Sequence, residues 1–149
     1  MTRASRHCGF TLIEVMLVLV IGAVMYAVIL SVPFRGASSA DLKAAARTLA
    51  SGLRQAQTLA MTTRKDMSLT LDLESREFTV TGDSTIRQLP KDLQLKLYTA
   101  QSEVTSDRRG AIRFYPDGSS TGGRITVAAG ERKYLVDVDW LTGRVSIND

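Results

Sequence analysis

The chain of 149 residues has a single histidine, His7, and a single cysteine, Cys8. Both lie at the extreme N-terminus, so the body of the chain can build neither a disulfide framework nor a Cys/His zinc site. A Ser-His-Asp or Cys-His catalytic group is excluded there for the same reason. Aromatic residues are scarce, at 6%, with one Trp. A dominant charge is missing too: 19 Lys and Arg face 15 Asp and Glu, a net +4. That surplus is too small to call for a nucleic-acid partner. What is present, 44% apolar and 23% charged residues, is the balance of a folded chain, not of a disordered or collagen-like one. The length suits one domain, alone or with an appendage. Nothing here points to an enzyme, a cofactor, a metal ion or a small-molecule substrate.

Charge and hydropathy are unevenly distributed. Residues 1–9 are polar and basic, with Arg3 and Arg6 and no acid, whereas Phe10 to Phe34 is almost wholly apolar, broken only by Glu14. The twenty residues from Val15 to Phe34 are uncharged, and as a helix they would measure roughly 30 Å, the thickness of a bilayer's hydrocarbon core. The spacing predicts a single transmembrane helix. Basic residues ahead of it predict a cytoplasmic N-terminus, with the rest of the chain across the membrane. A cleaved secretory signal has a shorter apolar run and a small-residue cleavage site, which Leu30-Ser31-Val32-Pro33-Phe34 supplies poorly. A lipoprotein needs an apolar run before its Cys, and Ser5-Arg6-His7 is the reverse. A plain signal anchor gives no reason for Glu14, whose carboxylate costs a few kcal/mol if left unpaired in hydrocarbon.

The segment Gly9-Phe10-Thr11-Leu12-Ile13-Glu14-Val15 resembles the type IV pilin-like signature: a short basic leader ending in Gly, then Phe, with Glu five residues after the cut. The resemblance implies that an aspartyl prepilin peptidase cleaves between Gly9 and Phe10 on the cytoplasmic side. It also implies methylation of the new Phe10 amine by the same enzyme, with S-adenosylmethionine as that enzyme's own co-substrate. Glu14 stands one helical turn from Phe10. In a filament of parallel helices its carboxylate can pair with the N-terminal amine of a neighbouring subunit, turning two costly charges into one neutralised pair that sets axial register. Loss of residues 1–9 removes Arg3 and Arg6, leaving 17 basic against 15 acidic residues and a net +2.

Beyond the span, Pro33 and Gly36 interrupt the helical pattern, and Ser38 with Asp41 has the spacing of a capping box. Leu42, Ala45, Ala46, Leu49, Leu53, Ala56, Leu59 and Ala60 then recur at helical spacing, with Lys43, Arg47, Arg54 and Gln57 away from that face. From Met67 the period becomes two. Strands are expected over Met67 to Leu73, around Phe78 and Val80, and over Leu93 to Leu97. A polar stretch from Gln101 to Gly110 precedes further strands at Ala111 to Tyr115, Arg124 to Ala129, Lys133 to Trp140 and Gly143 to Ile147. On the third of these Tyr134, Val136, Val138 and Trp140 share one face, which makes Trp140 a core aromatic, while Asp137 and Asp139 share the solvated one. One long helix followed by many short strands predicts an α+β domain with antiparallel sheet packed on the helix. The organisation expected is a leader over 1–9, a transmembrane and filament-assembly segment over 10–34, and one periplasmic domain over 35–149.

Phe114-Tyr115-Pro116-Asp117-Gly118 through Gly122-Gly123-Arg124 reads as a tight turn between two strands. It lacks the Lys and Ser or Thr that a phosphate-binding loop requires. The run also resembles the distal signature of the GspH/FimT-type pseudopilin domain. Together the two resemblances imply a minor pseudopilin of a type II secretion system. Such a subunit is held in the bacterial inner membrane by its helix and then built into a short periplasmic filament, at or near the tip. Its partners would be the prepilin peptidase, the other minor pseudopilins and the major one, in support of the export of folded proteins across the outer membrane. The alternative the resemblance leaves open is a FimT-like minor pilin that binds DNA during uptake. Members that bind DNA carry Gly-Arg-x-Arg, and here the stretch reads Gly143-Arg144-Val145-Ser146, without the second Arg.

Overall fold

The computed structural model describes residues 11–31 and 38–149. The expected leader 1–9, the cut between Gly9 and Phe10, and the interruption at Pro33 and Gly36 lie outside the described residues. The chain divides into two units, one ending at Arg35 and the other beginning at Gly36.

The first unit holds one helix, α1 (Leu12–Ser31). It opens with a Thr-x-x-Glu sequence: the Glu14 amide donates to Thr11 Oγ1 at 3.4 Å and to the Thr11 carbonyl at 3.0 Å. From Leu12 to Ala27 every side chain is exposed, including Leu17, Leu19 and Val24 at 59–68%. A helix that is apolar all round has no face to turn toward water. Among the described residues no helix is long and apolar enough to cross a membrane. The expected span, 10–34, runs past both ends of α1 into residues the structure does not describe.

The second unit begins with α2 (Ser39–Thr63), and here the capping box forms as expected. Ser38 Oγ accepts from the Asp41 amide at 3.1 Å, and the Asp41 carboxylate accepts from the Ser38 amide at 3.2 Å. Asp thus performs the reciprocal bond usually made by Glu or Gln. One face of α2 is fully buried through Leu42, Ala46, Leu49, Leu53, Ala56 and Ala60. Its small residues let strands approach closely. Gly52 sits under the Phe78 ring, where a Cβ would fall 2.7 Å from Phe78 Cε2, so the helix gives up about 1 kcal/mol of propensity to admit a buried aromatic.

Nine strands follow. β1 (Met67–Asp72), β2 (Glu77–Val80), β3 (Arg87–Gln88), β5 (Val104–Ser106) and β6 (Arg109–Phe114) form one sheet in the order β3-β2-β1-β6-β5. β4 (Gln94–Thr99), β7 (Gly123–Ala129), β8 (Arg132–Val138) and β9 (Val145–Asn148) form the other, in the order β4-β7-β8-β9. Every pairing is antiparallel. Residue period two sets the burial: Met67, Leu69 and Leu71 point inward from β1, Ile125 and Val127 from β7, and Val136 and Val138 from β8. Both sheets pack on α2, and their inward residues join its buried face in one core. The architecture is the expected α+β arrangement.

Three details differ from the sequence reading. The polar stretch 101–110 is not all loop: a 3₁₀ turn (Gln101–Glu103), β5 and the start of β6 lie in it. Besides Gly110 it buries a charged residue, Glu103, 8% exposed, which hydropathy alone places outside. Gln57, expected on the open face of α2, is half-buried and bonded across the fold. Trp140 is not a core aromatic. β8 ends at Val138, and the turn that follows swings the indole outward to 66% exposure.

Candidate functional site

Of the expected assembly residues, Gly9 and Phe10 lie outside the described residues, and Glu14 lies in the first turn of α1. That position favours a carboxylate through the helix dipole, and the Thr11 spacing matches a capping box. The capping oxygen shown is that of Thr11, which accepts from the Glu14 amide, a local signal in Thr11-x-x-Glu14 that the sequence reading missed. Glu14 also borders a shallow recess of about 330 Å³ with Val15, Val18 and Leu19, the adjacent turn of the same helix. The arrangement is a single acid set in an unbroken apolar surface. It carries no catalytic geometry, and no cluster of three or more His, Cys, Asp or Glu suited to a metal ion occurs among the described residues.

The second cluster lies where the turns of the β6–β7 and β8–β9 connections meet α2. Asp117 Oδ1 accepts from the Ser119 amide at 3.0 Å and from Ser119 Oγ at 2.6 Å, and these bonds hold its carboxyl below the usual range. The Gly118 amide donates to the Tyr115 carbonyl at 3.0 Å, closing the turn. Asp139 does the same work in the other connection, accepting from the amides of Thr142 and Leu141; those bonds, Thr142 first, lower its pKa as well. Gln57 Nε2 then donates to the carbonyls of both Gly118 and Thr142, each at 3.1 Å. Gly143 is required at this crossing: its φ is +62°, and a Cβ there would fall 2.2 Å from the Gly118 oxygen. The distal signature is thus a structural lock, with the amides of Gly118 and Gly122 already engaged within the protein.

Charged residues singled out in the sequence are mostly paired. Arg108 meets Glu74 at 2.7 Å and Arg109 meets Asp72 at 2.7 Å, so the double arginine fastens its own loop. Asp137 accepts from Arg124 and from Asn148, an ordinary solvated strand face. Arg113 grips buried Glu103 through two bonds, 3.0 and 3.2 Å, and these raise the arginine's pKa. Asp83 accepts from Thr85, Gln55 and Arg87, which takes its pKa down to about 2.

Comparison with known proteins fits this division into a greasy rod and a locked domain. Residues 45–142 match the family described as type II transport protein GspH, and residues 4–30 match the prokaryotic N-terminal methylation motif. A protein of Xanthomonas campestris pv. campestris described as type II secretion system protein H is 30% identical over 137 residues, covering 92% of this chain and 80% of its own. Among solved structures, the minor pseudopilin EpsH from the type 2 secretion system of Vibrio cholerae is similar at a TM-score of 0.58 and 14% identity, over 72% of this chain and 96% of that one. The type IV minor pilin FimU of Pseudomonas aeruginosa is similar at a TM-score of 0.56 and 14% identity, over 72% and 93%. These structural likenesses show the fold and do not separate a secretion subunit from a pilus subunit. The sequence matches do, and by them the chain belongs to the GspH family of type II transport proteins.

Proposed function

We propose that this minor pseudopilin is an inner-membrane precursor, trimmed between Gly9 and Phe10, methylated on Phe10 and built into the periplasmic pseudopilus at or near its tip. The other minor pseudopilins and the major one are its neighbours there, and the role is structural support of protein export. The observation that carries the reading is the pairing of a methylation motif over 4–30 with a helix whose apolar side chains are exposed all round. Each such side chain gains about 1.5–3 kcal/mol on leaving water. A bilayer supplies that burial before assembly, and packed sister helices supply it afterward. Glu14, the one acid in this surface, pairs with a neighbour's Phe10 amine.

The test is mass spectrometry of the protein taken from membranes, together with the Glu14→Ala variant in a cell running the secretion system. A chain beginning at methylated Phe10 is expected. E14A should be processed normally yet lower secretion by on the order of tenfold, because the neighbour's amine is left unpaired. A chain beginning at Met1 overturns the processing. Unchanged secretion by E14A overturns the pairing.

A further inference from the structure

We propose that, before it enters the filament, the chain lays a basic flank of α2 on a phospholipid surface, with Lys43, Arg47 and Arg54 against anionic headgroups. All three cations are exposed on the one helix. At about 3.6 residues per turn, positions four and eleven residues on from Lys43 return to within about 40° of it, so the charges form a row about 16 Å long.

Nothing on the helix offsets that row. The only acid of α2, Asp41, is two residues before Lys43 and therefore on another side of the helix. Its carboxylate is committed to the amide and hydroxyl of Ser38. Lys43 and Arg47 make no ion pair or hydrogen bond among the described residues. Arg54 donates to the Val145 carbonyl at 3.2 Å, a neutral partner that leaves its charge uncancelled.

The surroundings of the row select the occupant. Between Lys43 and Arg54 the other exposed residues are Ala44, Thr48 and Ser51, and Thr48 turns its hydroxyl back to the Ala44 carbonyl at 2.9 Å. The row thus lacks the large aromatic or aliphatic anchor on which a specific protein interface centres. Charge without an anchor suits a diffuse anionic plane, where each Lys or Arg contributes within a Debye length of the surface. The chain itself brings such a plane near. Lys43 stands nine residues after Phe34, the end of the apolar run, and nine residues reach at most about 32 Å when fully extended. That tether holds headgroups at high effective concentration. Duplex DNA has no such tether, and three cations give it a weak footing.

The proposal rests on the membrane part of the function above, and the experiment separates the two. The full-length chain is placed in lipid nanodiscs of phosphatidylcholine alone or mixed with phosphatidylglycerol. Ser51→Cys, with Cys8→Ser, carries a fluorophore within the row, and nitroxide-labelled headgroups report its approach by quenching. Quenching should be several-fold stronger in the anionic discs, and high salt should abolish the difference. Lys43→Glu with Arg47→Glu should lower the ratio of bound to free flank by about tenfold or more, without moving the unfolding midpoint. Lys43→Arg with Arg47→Lys should keep the ratio. Equal quenching in the two kinds of disc, or quenching that charge reversal leaves unchanged, overturns the proposal while the membrane reading stands. A chain that enters neither kind of disc overturns both. If duplex DNA raises the label's anisotropy in neutral discs and anionic lipid gives no added quenching, the row takes nucleic acid and the proposal fails.

Discussion

The two helices begin alike and then part company. α1 opens on Thr11-x-x-Glu14 and α2 on Ser38-x-x-Asp41. After that α1 has Val, Leu, Ile and Met on every side, exposed from Leu12 to Ala27, while α2 buries one face of Leu and Ala and leaves Lys43 and Arg47 in water. The difference is one of burial: α2 finds its apolar partner within its own domain, whereas the described side chains of α1 are exposed, and on the function proposed above a bilayer or a sister helix covers them. Substitution breaks the comparison most directly. Leu53→Ala, at a fully buried position, should cost roughly 2–5 kcal/mol through the cavity it leaves. The same truncation at Leu17, 59% exposed, should leave the domain unchanged within about 0.5 kcal/mol. Native-state hydrogen exchange at the buried amides of β7 and β8 in full-length protein reads both, and equal losses would remove the distinction.

A smaller effect is expected at the point where α2 grips the turns. Gly143→Ala forces a Cβ onto the Gly118 oxygen at a left-handed φ and displaces Gln57 from its two carbonyls. The expected cost is about 2 kcal/mol. It should appear as a lower urea midpoint with an unchanged m-value for residues 36–149. A neutral result would mean that α2 is held by its apolar face alone.

Much of this was legible from spacing. Period 3.6 over Leu42 to Ala60 gave the buried face of α2, and period two gave the inward residues of β1, β7 and β8, because burial on one side is a local pattern. The roles proposed for Gly9, Phe10 and Glu14 rest on the order of charge, Gly, Phe and Glu in the sequence. The residues misread are those whose partners lie far along the chain. Gln57 meets Gly118 and Thr142 across 61 and 85 residues, and no helical periodicity encodes that. Glu103 is buried because Arg113 comes from the strand beside it. Trp140 was carried inward by extrapolating the alternation of β8, but Asp139 ends the strand by capping the turn.

Capping sharpens the likeness between the helices. Ser38→Ala removes the oxygen that accepts from the Asp41 amide and should cost about 1 kcal/mol, seen as fraying of the first turn of α2. Thr11→Ala removes a longer bond, 3.4 Å, from α1, and the domain's stability should not register it. Exchange rates at the Asp41 and Leu42 amides check the first statement, and the unfolding midpoint of residues 36–149 in the full chain checks the second.

Acid gives the mildest probe, and it reaches α2 through Gln55. The Asp83 carboxylate accepts from Thr85 in its own loop, from Gln55 Nε2 at 3.0 Å and from Arg87 at 3.0 Å, while Arg87 also donates to Gln55 Oε1 at 2.8 Å. These bonds bring the Asp83 pKa from 3.8 to about 2. A carboxyl whose pKa is lower folded than unfolded binds fewer protons in the folded state, so its contribution is complete above the unfolded pKa and declines as pH falls. The loss therefore runs from about pH 4 down to about pH 2, and it should loosen β3 and the adjoining loop from α2 first, since Arg87 stacks over the Phe78 ring at 5.7 Å and is oriented by the same carboxylate. Asp83→Asn should flatten this part of the acid limb in urea titrations, leaving only the slope contributed by Asp72, Asp117 and Asp139, whose pKa values are also lowered. An unaltered slope would show that the loop carrying Asp83 is not coupled to α2, and that the hold of α2 on its sheets owes nothing to this ionic contact.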